Sequence, residues 1–68
     1  MTIDYKHLYN SFEEKRNELD LHVSQVARRS KVTYQAYQRI KEDTSANTET
    51  IGKIAKALEM KEIILKIK

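Results

Sequence analysis

Apolar residues recur along this chain at intervals of three and four, the spacing that lines up side chains on one face of an α-helix. Tyr5, Leu8, Phe12 and Leu19, with Tyr9 beside them, form the first stripe, and Glu13, Glu14, Lys15, Asn17 and Glu18 take the opposite face. The pattern predicts a helix within residues 2–19, with Thr2 or Asp4 as its N-cap and Asp20 as a left-handed terminator. Val23 to about Arg29 predicts a short second helix with Val26 and Ala27 turned inward and His22 at its cap. After a weakly marked break at Ser30-Lys31, the Thr33 hydroxyl is placed to cap a third helix from Tyr34 to about Lys41. Glu42 to Ala46 reads as a loop, and Asn47 caps a fourth helix with the stripe Ile51, Ile54, Ala55, Leu58. In the tail, Met60, Ile63, Ile64 and Ile67 suit a short fifth helix, while Ile63, Leu65 and Ile67 also alternate as in a strand. The helix is the expectation there. The whole predicts one all-α domain over residues 1–68, a bundle of four or five helices ending in a short helix or strand.

Composition narrows what such a bundle can do. Sixty-eight residues lie near the lower limit for a single core, and without cysteine there is neither a disulfide framework nor a thiolate metal cluster. This suits a reducing cytoplasm. The lone glycine, Gly52, cannot build a phosphate-cradling loop, which needs several glycines close together. No apolar run approaches the ~18 residues of a membrane span, and MTIDYKHLYN lacks the apolar stretch of a secretory signal.

The net charge of +3 conceals an asymmetry: residues 21–41 carry Arg28, Arg29, Lys31, Arg39 and Lys41 with no Asp or Glu. A basic stretch inside an otherwise slightly acidic chain is the electrostatic footprint of a polyanion binder. A solvated helix face that happens to lack carboxylates is the plainer reading of the same residues.

The segment LHVSQVARRSKVTYQAYQRIK, residues 21–41, resembles the helix-turn-helix of the lambda-repressor-like, Cro/CI (Xre) family of DNA-binding domains. Val26-Ala27 stand where an aliphatic–alanine pair packs the two helices, Val32 follows the turn, Thr33 caps the recognition helix and Ile40 returns to the core. NTETIGKIAKAL, residues 47–58, looks like the family's fourth helix, and Phe12, Arg16 and Leu19 match its first-helix spacing. The resemblance covers roughly residues 8–60. It implies an all-α, lambda-repressor-like fold with the motif at about 22–41. Three positions depart from the family pattern. Lys31 replaces the turn glycine, and Val23 replaces a glutamine that holds a phosphate. Lys41 stands where the family places a glutamate partner for Arg16, with Glu42, one residue later, as a substitute.

With Tyr37 and Ile40 turned to the core, the opposite face of the third helix carries Gln35, Gln38, Arg39 and Glu42, with Tyr34 at its N-terminal edge. Glutamine suits adenine N6/N7, arginine suits guanine O6/N7, and a tyrosine ring can touch a thymine methyl. Tyr34, Gln35, Gln38 and Arg39 are therefore the candidate base contacts, Arg39 alternatively holding a phosphate. Ser24, Thr33, Lys41, Asn47 and the amides opening helices 2 and 4 are the candidate phosphate contacts. Arg28 and Arg29 are either backbone contacts or solvated charges. Met60, Ile63, Ile64 and Ile67 are the candidate dimer interface within a segment of about 60–68, because clustered aliphatics on so small a domain mark a partner site.

His7 and His22 lack metal-ligand spacing, no nucleophile–base pair is visible, and adjacent carboxylates such as Glu13-Glu14 fall on different helix faces. The chain reads as no enzyme, with no metal, cofactor, membrane or small-molecule ligand expected. The expected partners are double-stranded DNA and a second copy of the chain. The expected role is a small cytoplasmic transcriptional regulator, a repressor of the phage Cro type controlled by concentration and dimerisation, on a palindromic operator. The rival reading is a protein-binding module on the same fold, such as an antirepressor or antitoxin.

Overall fold

The computed structural model describes residues 3–42, 47–63 and 67. Among them run four α-helices, α1 (Tyr5–Glu18), α2 (Val23–Ser30), α3 (Tyr34–Arg39) and α4 (Thr48–Ala57), with a 3-10 turn at Ile40–Glu42 prolonging α3. The third α-helix is thus two residues shorter than its pattern predicts, and Glu42 belongs to the 3-10 turn rather than to a loop. Residues 43–46 of the predicted loop lie outside the described residues.

Local chemistry sets the starts. Asp4 accepts the His7 amide at 3.1 Å, so it, of the two predicted caps, opens α1; Thr2 lies outside the described residues. Thr33 accepts the Ala36 amide at 3.0 Å and Asn47 the Thr50 amide at 2.8 Å, as their positions before α3 and α4 predict. At α2 the contact runs the other way: the His22 amide donates to Gln25 Oε1 at 2.8 Å.

The ends of α1, α2 and α4 share one device. In each, a residue with positive φ follows the helix: Asp20 at 55°, Lys31 at 60° and Glu59 at 58°. The amide beyond it then reaches back five residues, Leu21 to Arg16, Val32 to Ala27 and Met60 to Ala55, at 3.1, 3.1 and 2.9 Å. This is the Schellman arrangement, which satisfies carbonyls that the helix end would otherwise leave unpaired. None of the three turning residues is glycine, so each bears a left-handed penalty of about 1–2 kcal/mol.

The core gathers one stripe from each helix. Leu8, Phe12, Val26, Tyr37, Ile40, Ile54 and Leu58 are fully buried, and Ala27, Ile51 and Ala55 nearly so. Alanine at positions 27 and 55 lets α2 and α4 approach closely, and α1 lies along the Ile40–Glu42 turn. Truncating any of the large members to alanine costs about 2–5 kcal/mol in such a setting.

The tail departs from the helical expectation. Met60 to Ile63 are not helical, and Ile67 forms an isolated antiparallel bridge with Ile3. The cause is the positive φ of Glu59, which sends the chain off the α4 axis so that Met60 and Ile63 pack against the core from irregular backbone. Ile64 and Leu65 lie outside the described residues.

Candidate nucleic-acid interface

The left-handed turn at Lys31 (φ 60°, ψ 33°) sets α3 across the end of α2. Val32 packs partly into the core behind that turn, and Ala27 is buried, 5% exposed, on the inner face of α2. Tyr37 and Ile40, both at 0% exposure, pin the inner face of α3. Its outer face is thereby fixed: Tyr34 (51% exposed), Gln35 and Arg39 are open to solvent, and Glu42 continues the row.

Gln38 is different, being only half-exposed. The Tyr9 hydroxyl of α1 donates to Gln38 Oε1 at 3.1 Å. Tyr9 is itself held, with its ring centroid 5.6 Å from that of Tyr37 and the Lys41 ammonium 5.8 Å above its face. Burial, and then the nearby Glu13 charge, push the Tyr9 phenol above its ordinary range, so it remains a proton donor.

Beneath α3 lies a charged network. Arg16 makes a two-pronged contact with Glu13, Nε to Oε2 at 2.8 Å and Nη2 to Oε1 at 2.9 Å, and its Nη1 donates to the Leu21 carbonyl at 2.6 Å. Tyr37 donates to Glu13 Oε2 at 2.8 Å. The Arg16 hydrogen bonds, with that of Tyr37, hold the Glu13 carboxyl below the usual range against the opposing effect of burial. Burial and the Glu13 bond raise the Tyr37 phenol. The carboxylate partner of Arg16 is therefore Glu13, not Glu42. One turn along α1, Glu13 occupies the side of Arg16 that faces α3, whereas Glu42 points outward from the 3-10 turn.

The candidate phosphate contacts are distributed around this face. Ser24 and Arg28 are exposed on one flank of α2, and Lys41 stands above Tyr9. Thr33 and Asn47 each spend one oxygen on a helix cap, which leaves the hydroxyl proton of the first and the amide hydrogens of the second chemically able to donate to a phosphate. Val23 is half-buried against the core, an apolar contact in place of a phosphate donor. Arg29 joins Lys31, Lys53 and Lys56 around a groove of about 350 Å³ between the end of α2 and α4, with no carboxylate in its lining. Lys31, Lys53 and Lys56 were not among the candidates. The available signal for the α4 pair was their spacing, since Lys53 and Lys56, three positions apart, share one face of that helix.

Of the candidate dimer residues, Met60 and Ile63 are half-buried and Ile67 is 50% exposed, while Ile64 lies outside the described residues. Ile63 lines an apolar groove of about 270 Å³ with Ile3, Tyr5, Ile51 and Gly52. Among the described residues no three His, Asp or Glu side chains converge on a metal position, and no helix is long and apolar enough to cross a membrane.

A sequence model of the helix-turn-helix family, of the Cro/C1 type and Xre-like, matches residues 12–65. The matched span runs from Phe12 through the α2–turn–α3 unit and α4. Neither the curated proteins nor the solved structures yield a match.

Proposed function

The chain belongs to the Cro/C1-type helix-turn-helix family of DNA-binding regulators, and from that premise we propose that it is a repressor that binds a specific two-fold-symmetric operator as a dimer. The observation that carries this reading is the outer face of α3, where Tyr34, Gln35, Gln38 and Arg39 form a row of base-reading chemistries on a helix pinned from behind by Tyr37 and Ile40. Arg28, Arg29, Lys41, Ser24, Thr33 and Asn47 supply the phosphate contacts that set orientation, and Lys31, Lys53 and Lys56 add to the attraction. Such a role needs no catalytic group and is exercised in the cytoplasm.

Dimerisation is supported by Ile67, half-exposed beside Ile3, and by the adjoining apolar groove at Ile63 and Gly52, which together form a continuous apolar surface on a small domain. A closed two-fold pair would set its recognition helices about one DNA turn, ~34 Å, apart. The test is selection of bound duplexes from a random-sequence pool. The proposal expects enrichment of a palindrome whose half-sites lie one turn apart, with two chains per duplex in sedimentation. Recovery of no common sequence by a folded protein would favour the protein-binding reading, to which apolar Val23 in a phosphate-holding position lends support.

A further inference from the structure

We infer that Tyr9, on α1, is a specificity-determining residue: by holding the carbonyl of Gln38 it turns the amide NH2 outward and makes Gln38 a reader of guanine. The inference rests on the proposed reading role of α3. A glutamine with both ends free pairs with adenine, accepting from N6 and donating to N7. In this chain the Tyr9 hydroxyl donates to Oε1 at 3.1 Å from the half-buried side of α3, which takes one of that oxygen's two lone pairs and draws the carbonyl toward α1. Tyr9 cannot easily swing away. Its ring packs against that of the fully buried Tyr37 at 5.6 Å, and Lys41 covers its face at 5.8 Å.

With the carbonyl turned toward α1, the group left for the groove is a pure donor with two hydrogens. Guanine presents two acceptors on its major-groove edge, N7 and O6, whereas adenine presents N7 beside an N6 donor that would face the amide hydrogens. Cytosine offers only a donor at that edge. The ordinary glutamine preference is thereby inverted by one hydroxyl 29 residues away in sequence.

The experiment uses the full chain and a set of duplexes carrying each of the four base pairs at the position where Gln38→Ala loses discrimination. Wild type should prefer guanine over adenine. Tyr9→Phe keeps the ring contacts and removes only the donor, so its helical circular dichroism should be unchanged. The preference should move toward adenine by about tenfold, within the range of a single base contact. Gln38→Glu, which has no donor, should abandon guanine for cytosine, whose N4 it can accept. Gln35→Ala should change discrimination at a different position only. A wild-type preference for adenine, a Tyr9→Phe preference identical to wild type, or a guanine preference retained by Gln38→Glu would each overturn the inference while leaving α3 as the reader. A wild type with no sequence preference anywhere would overturn the reading role of α3 and this inference with it.

Discussion

The phenolic oxygen of Tyr37 lies 2.8 Å from Glu13 Oε2 and donates to it, tying the recognition helix to α1 through a carboxylate that Arg16 also grips from the other side. Arg16 in turn holds the Leu21 carbonyl just before α2. One charged network thus fixes the mutual placement of α1, α2 and α3, and any reading of bases by α3 inherits its rigidity.

That network makes stability depend on acid. The folded Glu13 carboxyl titrates below its ordinary value of 4.5. Its contribution is therefore complete above the unfolded value and is lost as pH falls through the lower, folded one. Thermal melts taken downward from neutral pH should show a falling Tm on the acid side, and Glu13→Gln should flatten that limb. Tyr37→Phe should cost about 1–3 kcal/mol at neutral pH, a single hydrogen bond to a charged acceptor.

Glycine is misplaced in this chain from the standpoint of stability, and the consequence is measurable. Lys31→Gly should raise stability by about 1 kcal/mol, the left-handed penalty less the chain entropy of glycine. Gly52→Ala should add a similar amount, about 1 kcal/mol, because Gly52 is within α4 and an added Cβ meets nothing within 4 Å. Each gain corresponds to roughly 4–8 °C in Tm for a domain of this size. A fall in Tm for Lys31→Gly would contradict the strain assigned to the turn.

The local features were legible from the residues themselves. The stripes of α1 and α4, the caps at Thr33 and Asn47, and the left-handed terminator Asp20 all depend on neighbours within a few positions, and each is found as the pattern predicts; the left-handed turn at Lys31 was legible only through the family resemblance. What escaped depends on distant partners. Tyr9 sits in an apolar stripe, and nothing in its neighbourhood says that its hydroxyl reaches Gln38. Arg16 has Glu13 one turn away, yet the family pattern directed attention to positions 41 and 42. The expected helix fails at Met60–Ile63 because the tail's aliphatics fit both a helical stripe (Met60, Ile63, Ile64, Ile67) and an alternating one (Ile63, Leu65, Ile67), and the positive φ of Glu59 that decides against it is not marked by a glycine.

The dimer proposal separates two aliphatic residues. Ile67→Lys alters a half-exposed side chain and should leave helicity intact while lowering both sedimentation mass and operator affinity. Ile63→Lys puts a charge into a partly buried apolar site and should lower the Tm as well. A wild type that sediments as a monomer at high micromolar concentration would contradict the proposed assembly.

The cations fall into a class that reads charge and not sequence. Arg28→Ala, and the pair Lys53→Ala with Lys56→Ala, should weaken specific and random duplexes alike and make the dependence of log affinity on log salt shallower by about one unit per lost contact. No change in slope would place the altered side chain outside the contact surface.

The most direct test of sequence reading by α3 is the affinity of Gln35→Ala, relative to wild type, on a selected operator duplex and on a scrambled duplex of equal length at fixed salt. The account predicts a loss of about 1–3 kcal/mol on the operator and little change on the scrambled sequence. Equal losses on both duplexes, or none on either, would contradict it.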